Sequence, residues 1–483
     1  CSGACDRALP VTPPRAFRAT YRLQLTPEFG FRAARELVPY LRDLGVSHLY
    51  LSPSLQARAG SQHGYDVVDP RRISEGLGGE EAFRELAAAG LGVVLDIVPN
   101  HMAAVDENAF WRDERLREMF FDVDLHTGFH RRFFDVGERG GVKQEDWEVF
   151  WATHAKVIEL VRDGVVDGVR VDHADGLANP TQYFERLAGA GVEHVWAEKI
   201  LEAGEELRPW PVEGTTGYEF IRQLTHIFVD SAAEVKFTKL YSELTGDAAP
   251  LDAVIYGEKR LVLEETFGNA VTHLGHELST LLAGDRRWRD LTRHELTLAV
   301  REIMAALGVY RIYRRMNAEC RPEDTRETER ACAAAVRANP RRDKQPFEFV
   351  RDVLIGRYPP PSAKPEFREA LWRWVLTWQQ HTGAVMAKAV EDTTFYVYNR
   401  FIALNEVGGE PGAFGGTVAK FHAENERRRS LSPHSLLASS THDTKMGEDA
   451  RARLYVLSEI PDEWADWVTE WQELNRRHKT WVE

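Results

Sequence analysis

The stretch Gly168-Val169-Arg170-Val171-Asp172-His173-Ala174-Asp175-Gly176 decides the fold. A strand-type run from Val165 to Val171 ends in a carboxylate and then in turn residues. Before it, residues 145–163 place Trp147, Phe150, Trp151, His154, Val157, Ile158 and Val161 on one face of a helix. After it comes another strand, His194 to Ala197, which ends in Glu198 and Lys199. The same alternation runs upstream. Ala19 to Leu25 reads as strand, and Phe31, Ala34, Leu37, Val38, Leu41 and Leu44 recur at helical spacing. Val46 to Leu51 is the next strand, Glu81 to Ala89 a helix, and Gly92 to Val98 a third strand, apolar enough to be buried on both faces. Strands alternating with helices specify an α/β fold with a parallel sheet.

Downstream the pattern changes. From Tyr218 to Ala387 the chain is helix-rich and includes a Trp-rich helix at 366–380. Ala387–Val390 and Ser435–Ser440 read as two further short strands, and the chain ends in helix, Gly447 to about Arg476. Seven strands with intervening helices imply a TIM (β/α)8-type barrel, with a short excursion at 102–144 after the third strand and a long helix-rich insertion. The expected domains are barrel 1–101, excursion 102–144, barrel 145–217, insertion 218–386 and barrel 387–483. Neither an eighth strand nor a C-terminal β domain is recognisable, which makes a fragment or a partner-completed barrel the expectation.

Length and composition narrow the chemistry. The chain has 483 residues with 43% apolar and 28% charged side chains, which excludes collagenous and disordered readings. A net charge of −14 opposes nucleic-acid binding. Cys1, Cys5, Cys320 and Cys332 are too few and too scattered for a disulfide framework or a four-cysteine zinc site, so a reducing, cytoplasmic location is expected. No apolar run is long enough for a membrane span. Cys1-Ser2-Gly3 would suit a lipoprotein start, but a clipped start is the preferred reading. Cys320 and Cys332 read as inert thiols on a charged helical segment, and the Trp stripe at 372–378 as core packing.

In a TIM barrel the chemistry sits at the C-terminal ends of the strands, and those ends carry charge here. The third runs Asp96-Ile97-Val98-Pro99-Asn100-His101, the fourth ends at Asp172, the fifth at Glu198, and the seventh at His442-Asp443. Holding that many carboxylates at one rim is costly unless they pair or do work. A retaining glycosidase needs two carboxyl groups about 5–5.5 Å apart, and neighbouring strands are about 4.8 Å apart. Asp172 and Glu198 suit such a pair. Arg170, two residues before Asp172 on the same face, is expected to keep Asp172 ionised, while burial and repulsion keep Glu198 protonated. Asp443 supplies a third carboxylate, and His101 and His442 are donors for sugar hydroxyls. No metal and no cofactor are required.

Asp-x-x-x-Asn-His, Gly-x-Arg-x-Asp, a Glu ending the next strand and a later His-Asp, in that order, resemble the four ordered motifs of the α-amylase family of glycoside hydrolases. Within it the sequence resembles the trehalose-forming branch, the maltooligosyl trehalose synthases. The matching stretches are Thr20 to Leu25, Ser61 to Asp69, Arg170 to Pro180, Ala197 to Leu201, Gly214 to Tyr218, Glu391 to Gly409 and Ser440 to Lys445. The resemblance implies an isomerase that turns the reducing-end α-1,4 linkage of a maltooligosaccharide into an α,α-1,1 linkage, in trehalose biosynthesis. It implies Asp172 as nucleophile, Glu198 as acid/base, Asp443 as transition-state stabiliser and Tyr65 stacked on the sugar. His63, Asp66, His101, Arg170, His173, His442, Tyr218, Gln24 and Lys199 are the accompanying binding residues. Tyr218 and the segment Asp392 to Arg400 are where a closed pocket for the released glucose is expected. The expected partners are an α-1,4-glucan and a trehalose-releasing hydrolase in the same pathway, with no nucleic acid and no membrane.

Blander readings stand beside these. Asp96 is expected to be a structural acceptor, His173 and Asp175 serve equally well as loop braces, and Trp196 suits a core position. An α-glucan hydrolase or trehalohydrolase of the same family would share all three carboxylates, and a silent glycan-binding protein is the alternative from another class.

Overall fold

The computed structural model describes residues 16–124, 129–133, 136–246, 249–316 and 318–478. One sheet of six parallel strands organises it. In chain order these are β1 (Thr20–Leu23), β2 (His48–Leu51), β3 (Gly92–Ile97), β4 (Gly168–Val171), β5 (His194–Ala197) and β6 (Gly214–Thr215), and the spatial order is the same. Every residue of β3 and β4 is buried, because one face looks into the barrel and the other meets helices.

The connecting helices begin where their caps allow. Asp146 accepts hydrogen bonds from the Glu148 and Val149 amides at the start of Trp147–Arg162. Asn179 caps Pro180–Gly189, with Pro180 in the first turn, where a missing N–H costs nothing. Val149, Phe150, Val157 and Ile158 of the first helix, and Phe184 and Leu187 of the second, share one apolar core with Val93, Leu95, Val169 and Val195 of the strands.

A second core lies in the helices between Leu251 and Met386, where Trp374 and Trp378 are buried as the stripe at 372–378 implies. Cys332 is buried in this core, whereas Cys320 lies just ahead of the helix Pro322–Ala338 and not on it. This layer is tied to the loop after β4. The Arg311 guanidinium donates to the carbonyls of Asp175, Leu177 and Ala178, and Gln380 Nε2 donates to the Gly176 carbonyl at 3.1 Å.

Two expected strands are absent. Residues Ala387–Thr394 are π-helical and continue the helix Pro365–Met386, so a barrel restart at 387 would cut through a helix. Ala389, Val390 and Thr394 are buried there, and a short apolar run cannot be told from a buried helical segment by period alone. Ser435–Ser440 forms no strand. It still runs beside β6, where the Leu436 amide donates to the Thr215 carbonyl at 3.1 Å. Its serines offer little to pack on a sheet. The sheet gains instead the two-residue β6, too short to show a period.

Residues 102–144 hold more structure than their composition suggests. His101–Ala103 pairs antiparallel with Val136–Gly141, and the helices Ala109–Arg112 and Glu114–Phe120 lie between them. No helix among the described residues is long and apolar enough to cross a membrane. Cys1-Ser2-Gly3 and Cys5 lie outside the described residues.

Candidate active site

Parallel strands deliver their last residues to one rim, and Arg170 sits at its centre with no exposed surface. Its Nη1 lies 2.7 Å from Asp172 Oδ1 and 2.9 Å from Asp96 Oδ1. Its Nη2 lies 2.9 Å from Glu198 Oε1 and 3.9 Å from Asp443 Oδ2. Register explains the convergence. Val171 pairs with Ala197 and Arg170 with Asp96, so Asp172 and Glu198 leave neighbouring strands at matched positions. The ladder continues one step past each strand, with the Asp172 amide on the Ile97 carbonyl and the Glu198 amide on the Val171 carbonyl, both at 2.9 Å.

Electrostatics here differs from the sequence expectation. Burial, and then the adjacent Glu198, push the Asp172 carboxyl well above its usual range, and Arg170 only partly opposes them. Burial also raises Glu198, with Arg170 pulling down and Asp443 pushing up. Arg170 alone therefore does not keep Asp172 ionised. The two carboxyls titrate as a pair that shares protons. Asp443 moves the other way. Burial is outweighed by His442, Arg170 and the Tyr218 hydroxyl, which hold it below the usual range. His442 itself is pushed down to about 4 by burial, so at neutral pH the pull comes from Arg170 and Tyr218.

Several side chains build the wall around these groups. The Tyr218 hydroxyl donates to Asp443 Oδ2 at 2.6 Å. The Tyr65 hydroxyl donates to Asp96 Oδ2 at 2.7 Å and lies 2.8 Å from His442 Nε2. The rings of Tyr65 and His442 are nearly parallel, with centroids 6.1 Å apart. Asp96 is buried and fully engaged by Arg170 and Tyr65, the acceptor role expected of it. His173 has φ 45°, the only positive φ outside glycine among the described residues. That left-handed turn costs about 1–2 kcal/mol. Its amide is thereby aimed at Glu198 Oε2, 2.6 Å away.

The structure gathers Asp172, Glu198, Asp443, Arg170, Tyr65, His442 and Tyr218 into one site, with the His173 backbone beside them. The other expected binding residues are held by partners of their own. Lys199 is buried between Asp175 and Glu205, each 3.2 Å from its Nζ. Asp175 also accepts from the Tyr313 hydroxyl, so it braces its loop. His101 Nε2 sits 3.1 Å from the Tyr65 carbonyl, and burial pushes its pKa well below the ordinary value. Asp66 accepts from Ser61 Oγ at 2.5 Å inside its own turn. His63 Nδ1 accepts from the Tyr65 amide at 3.0 Å. Exposed Gln24 accepts from Arg22 at 3.0 Å. Trp196 is a core residue, its Nε1 donating to the His434 carbonyl. In the segment 392–400, Arg400 turns to Glu234 and the Pro411 carbonyl.

Sequence reasoning overlooked Arg22. Its Nη2 lies 3.0 Å from the Tyr65 hydroxyl and 3.6 Å from Asp96 Oδ2. The period-2 rule applied to the Ala19–Leu25 run would have found it, since Arg22 stands two residues before Gln24 and so shares its face. Among the described residues, no group of three or more His, Cys, Asp or Glu is arranged to hold a metal ion.

Comparison with known proteins bears on this geometry. The α-amylase catalytic-domain family matches residues 34–139. The maltooligosyltrehalose synthase structure from Arthrobacter ramosus is 33% identical, with a TM-score of 0.83 over 94% of this chain and 66% of that one. A hypothetical maltooligosyl trehalose synthase from Sulfolobus tokodaii is 30% identical, with a TM-score of 0.76 over 95% of this chain and 67% of its own. A Mycobacterium tuberculosis protein, provisionally named as the same enzyme, is 32% identical over 93% of this chain and 66% of its own. The chain thus spans about two thirds of the length of its relatives. Sequence identity and a shared TIM-barrel-type fold over nearly the whole of it agree: the chain belongs to the maltooligosyl trehalose synthase family.

Proposed function

We propose that the protein converts the reducing-end α-1,4 linkage of a maltooligosaccharide into an α,α-1,1 linkage, leaving a trehalose terminus. The observation that carries this reading is the register-matched pair Asp172 and Glu198, both held on the Arg170 guanidinium. Neighbouring strands stand about 4.8 Å apart, close to the separation of about 5–5.5 Å that a retaining double displacement requires.

The steps we assign rest on the family resemblance and on these contacts. Asp172 attacks the anomeric carbon of the penultimate glucose while Glu198 protonates the departing glycosidic oxygen. This uses the form of the pair in which the shared proton resides on Glu198. A covalent glycosyl-enzyme results, and the released glucose stays bound. Glu198, now ionised, takes the proton from the anomeric hydroxyl of that glucose as its oxygen attacks the glycosyl carbon. Asp172 leaves, and both anomeric centres of the new linkage are α. Asp443, held by Tyr218, opposes the positive charge that develops on the ring. Tyr65 and His442 offer a flat, polar-edged surface against which a sugar ring can lie.

The proposal includes a maltooligosaccharide substrate and, downstream, a hydrolase that cuts the α-1,4 bond next to the new trehalose unit. It also includes a cytoplasmic setting, supported by the scarcity of cysteine. The test is incubation with maltopentaose, followed by a reducing-end assay and NMR of the anomeric protons. Loss of reducing ends without new small sugars is the expected result. A rise in reducing ends would make the protein a hydrolase, and unchanged sugar would make it a binding protein.

A further inference from the structure

Asp172 and Glu198 are held by strand ladders, but Asp443 is not. Residues 439–447 contain neither helix nor strand. The Asp443 side chain is 37% exposed, the most open of the carboxylates around Arg170. Local bonds, such as the Asp443 amide on Thr441 Oγ1 at 3.2 Å, shape a turn without attaching it to the barrel. Tyr218 and Tyr65 reach the side chains of Asp443 and His442, while two buried side chains attach the backbone of the turn. Glu406 Oε2 accepts the Lys445 amide at 2.7 Å, and Oε1 accepts the Met446 amide at 2.9 Å. Arg451 donates to the Ser439 carbonyl at the other end of the turn. Arg451 Nε lies 3.8 Å from Glu406 Oε1, and both side chains are at most 2% exposed.

We infer that Glu406, with Arg451, is a positioning residue for Asp443, the pair doing for this turn what the ladder does for β4 and β5. A glutamate needed only to neutralise Arg451 would have no reason to capture two consecutive amides, one on each oxygen. Those amides lie two and three residues beyond Asp443, so their capture fixes where the Asp443 carboxylate points. A displacement of about 1 Å in a reacting group can cost 10²-fold in rate. The inference rests on reading Asp443 as the carboxylate that opposes developing charge.

The test is a double-mutant cycle of Glu406→Gln with Asp443→Asn on the full chain. It is read with maltosyl fluoride, so that the weakened variants stay measurable, and rates are expressed per active site trapped by a fluorosugar label. Glutamine has one acceptor oxygen and sets its amide protons against the second N–H. The expected result is a loss of at least tenfold in kcat, with KM within threefold. In the Asp443→Asn background the same change should cost less than twofold. Hydrogen exchange of the Lys445 and Met446 amides should quicken at least tenfold while β3 to β5 stay unchanged. Should Glu406→Gln fail to fold, Glu406→Asp serves in its place, since it keeps the charge and is too short for both amides. A kcat within twofold of wild type, or equal fold losses in both backgrounds, overturns the inference. Wild-type protein that leaves maltopentaose unchanged removes the functional reading instead, so the two failures are distinguishable.

Discussion

Replacing Glu391 by glutamine should stabilise the protein at alkaline pH and hardly at all in acid. Glu391 is buried, and burial pushes its pKa from 4.5 up to about 8. The Tyr310 hydroxyl at 2.5 Å and the Gly408 amide at 3.2 Å oppose that rise by donating to the carboxylate. The folded chain thus keeps a proton that the unfolded chain loses near pH 4.5, so unfolding releases a proton between the two values. Stability is complete below pH 4.5 and falls as pH rises toward 8. Each unit is about 1.36 kcal/mol, so the full penalty above pH 8 is about 5 kcal/mol, and about 3 kcal/mol is already lost at pH 7. Glutamine keeps an acceptor for one of the two donors and does not titrate. Urea denaturation of wild type and Glu391→Gln at pH 5, 7 and 9 should show a variant that gains several kcal/mol relative to wild type across that range. A difference that stays constant from pH 5 to 9 would mean that Glu391 is ionised throughout, and the reasoning would fail.

Asp172→Asn should abolish turnover while leaving maltopentaose binding within a few fold, measured by calorimetry, because it removes the nucleophile and little volume. A substantial residual rate would take Asp172 out of that role. Glu198→Gln should be nearly inactive on maltooligosaccharides yet partly active in the first step with a glycosyl fluoride, which needs no protonation to leave; absence of that rescue would count against the acid assignment. Tyr218→Phe deletes the 2.6 Å bond to Asp443, and a hydrogen bond to a charged group is worth about 1.5–3 kcal/mol. Because the Asp443 side chain is 37% exposed, the lower end applies, and kcat should fall about tenfold with KM little changed. A rate equal to wild type would show that Asp443 needs no such donor.

The strands that build the rim were readable because they are long enough to show a pattern and end in charge. Gly92–Ile97 and Gly168–Val171 carry β-branched runs that stop at polar residues, and the structure keeps both. Where a signal depended on side chains meeting across the fold, it was not readable. Glu391 and Glu406 meet their partners only in space, one bonded to Tyr310, 81 residues away, and the other to the Lys445 and Met446 amides, 39 and 40 residues away. Ala387–Val390 misled because a short run with alanine and valine around one lysine suits a strand and a helical turn alike. Lys199 and Asp66 misled differently: each neighbours a site residue in sequence, yet its own partners turn it into the scaffold.

The arrangement around Arg170 links the fold to the chemistry it supports. Four carboxylates face one buried guanidinium, with Arg22 as the nearest second cation, 3.6 Å from Asp96. His442 adds no charge at neutral pH, since burial holds it near 4. Four carboxylates therefore meet two guanidiniums at the rim. An isolated excess of that kind inside a protein is unfavourable, and the raised Asp172 and Glu198 express the strain. In the mechanism proposed above, a glycosyl centre on its way to an oxocarbenium ion would bring a positive charge into that field. The ground state lacks this attraction and the transition state has it, which is the condition for lowering the barrier to the chemical step. Arg170 then has a double part. It makes the cluster tolerable enough to fold, and it stops short of neutralising it, which on the proposed mechanism would leave the rim ready for a cation that exists only during reaction.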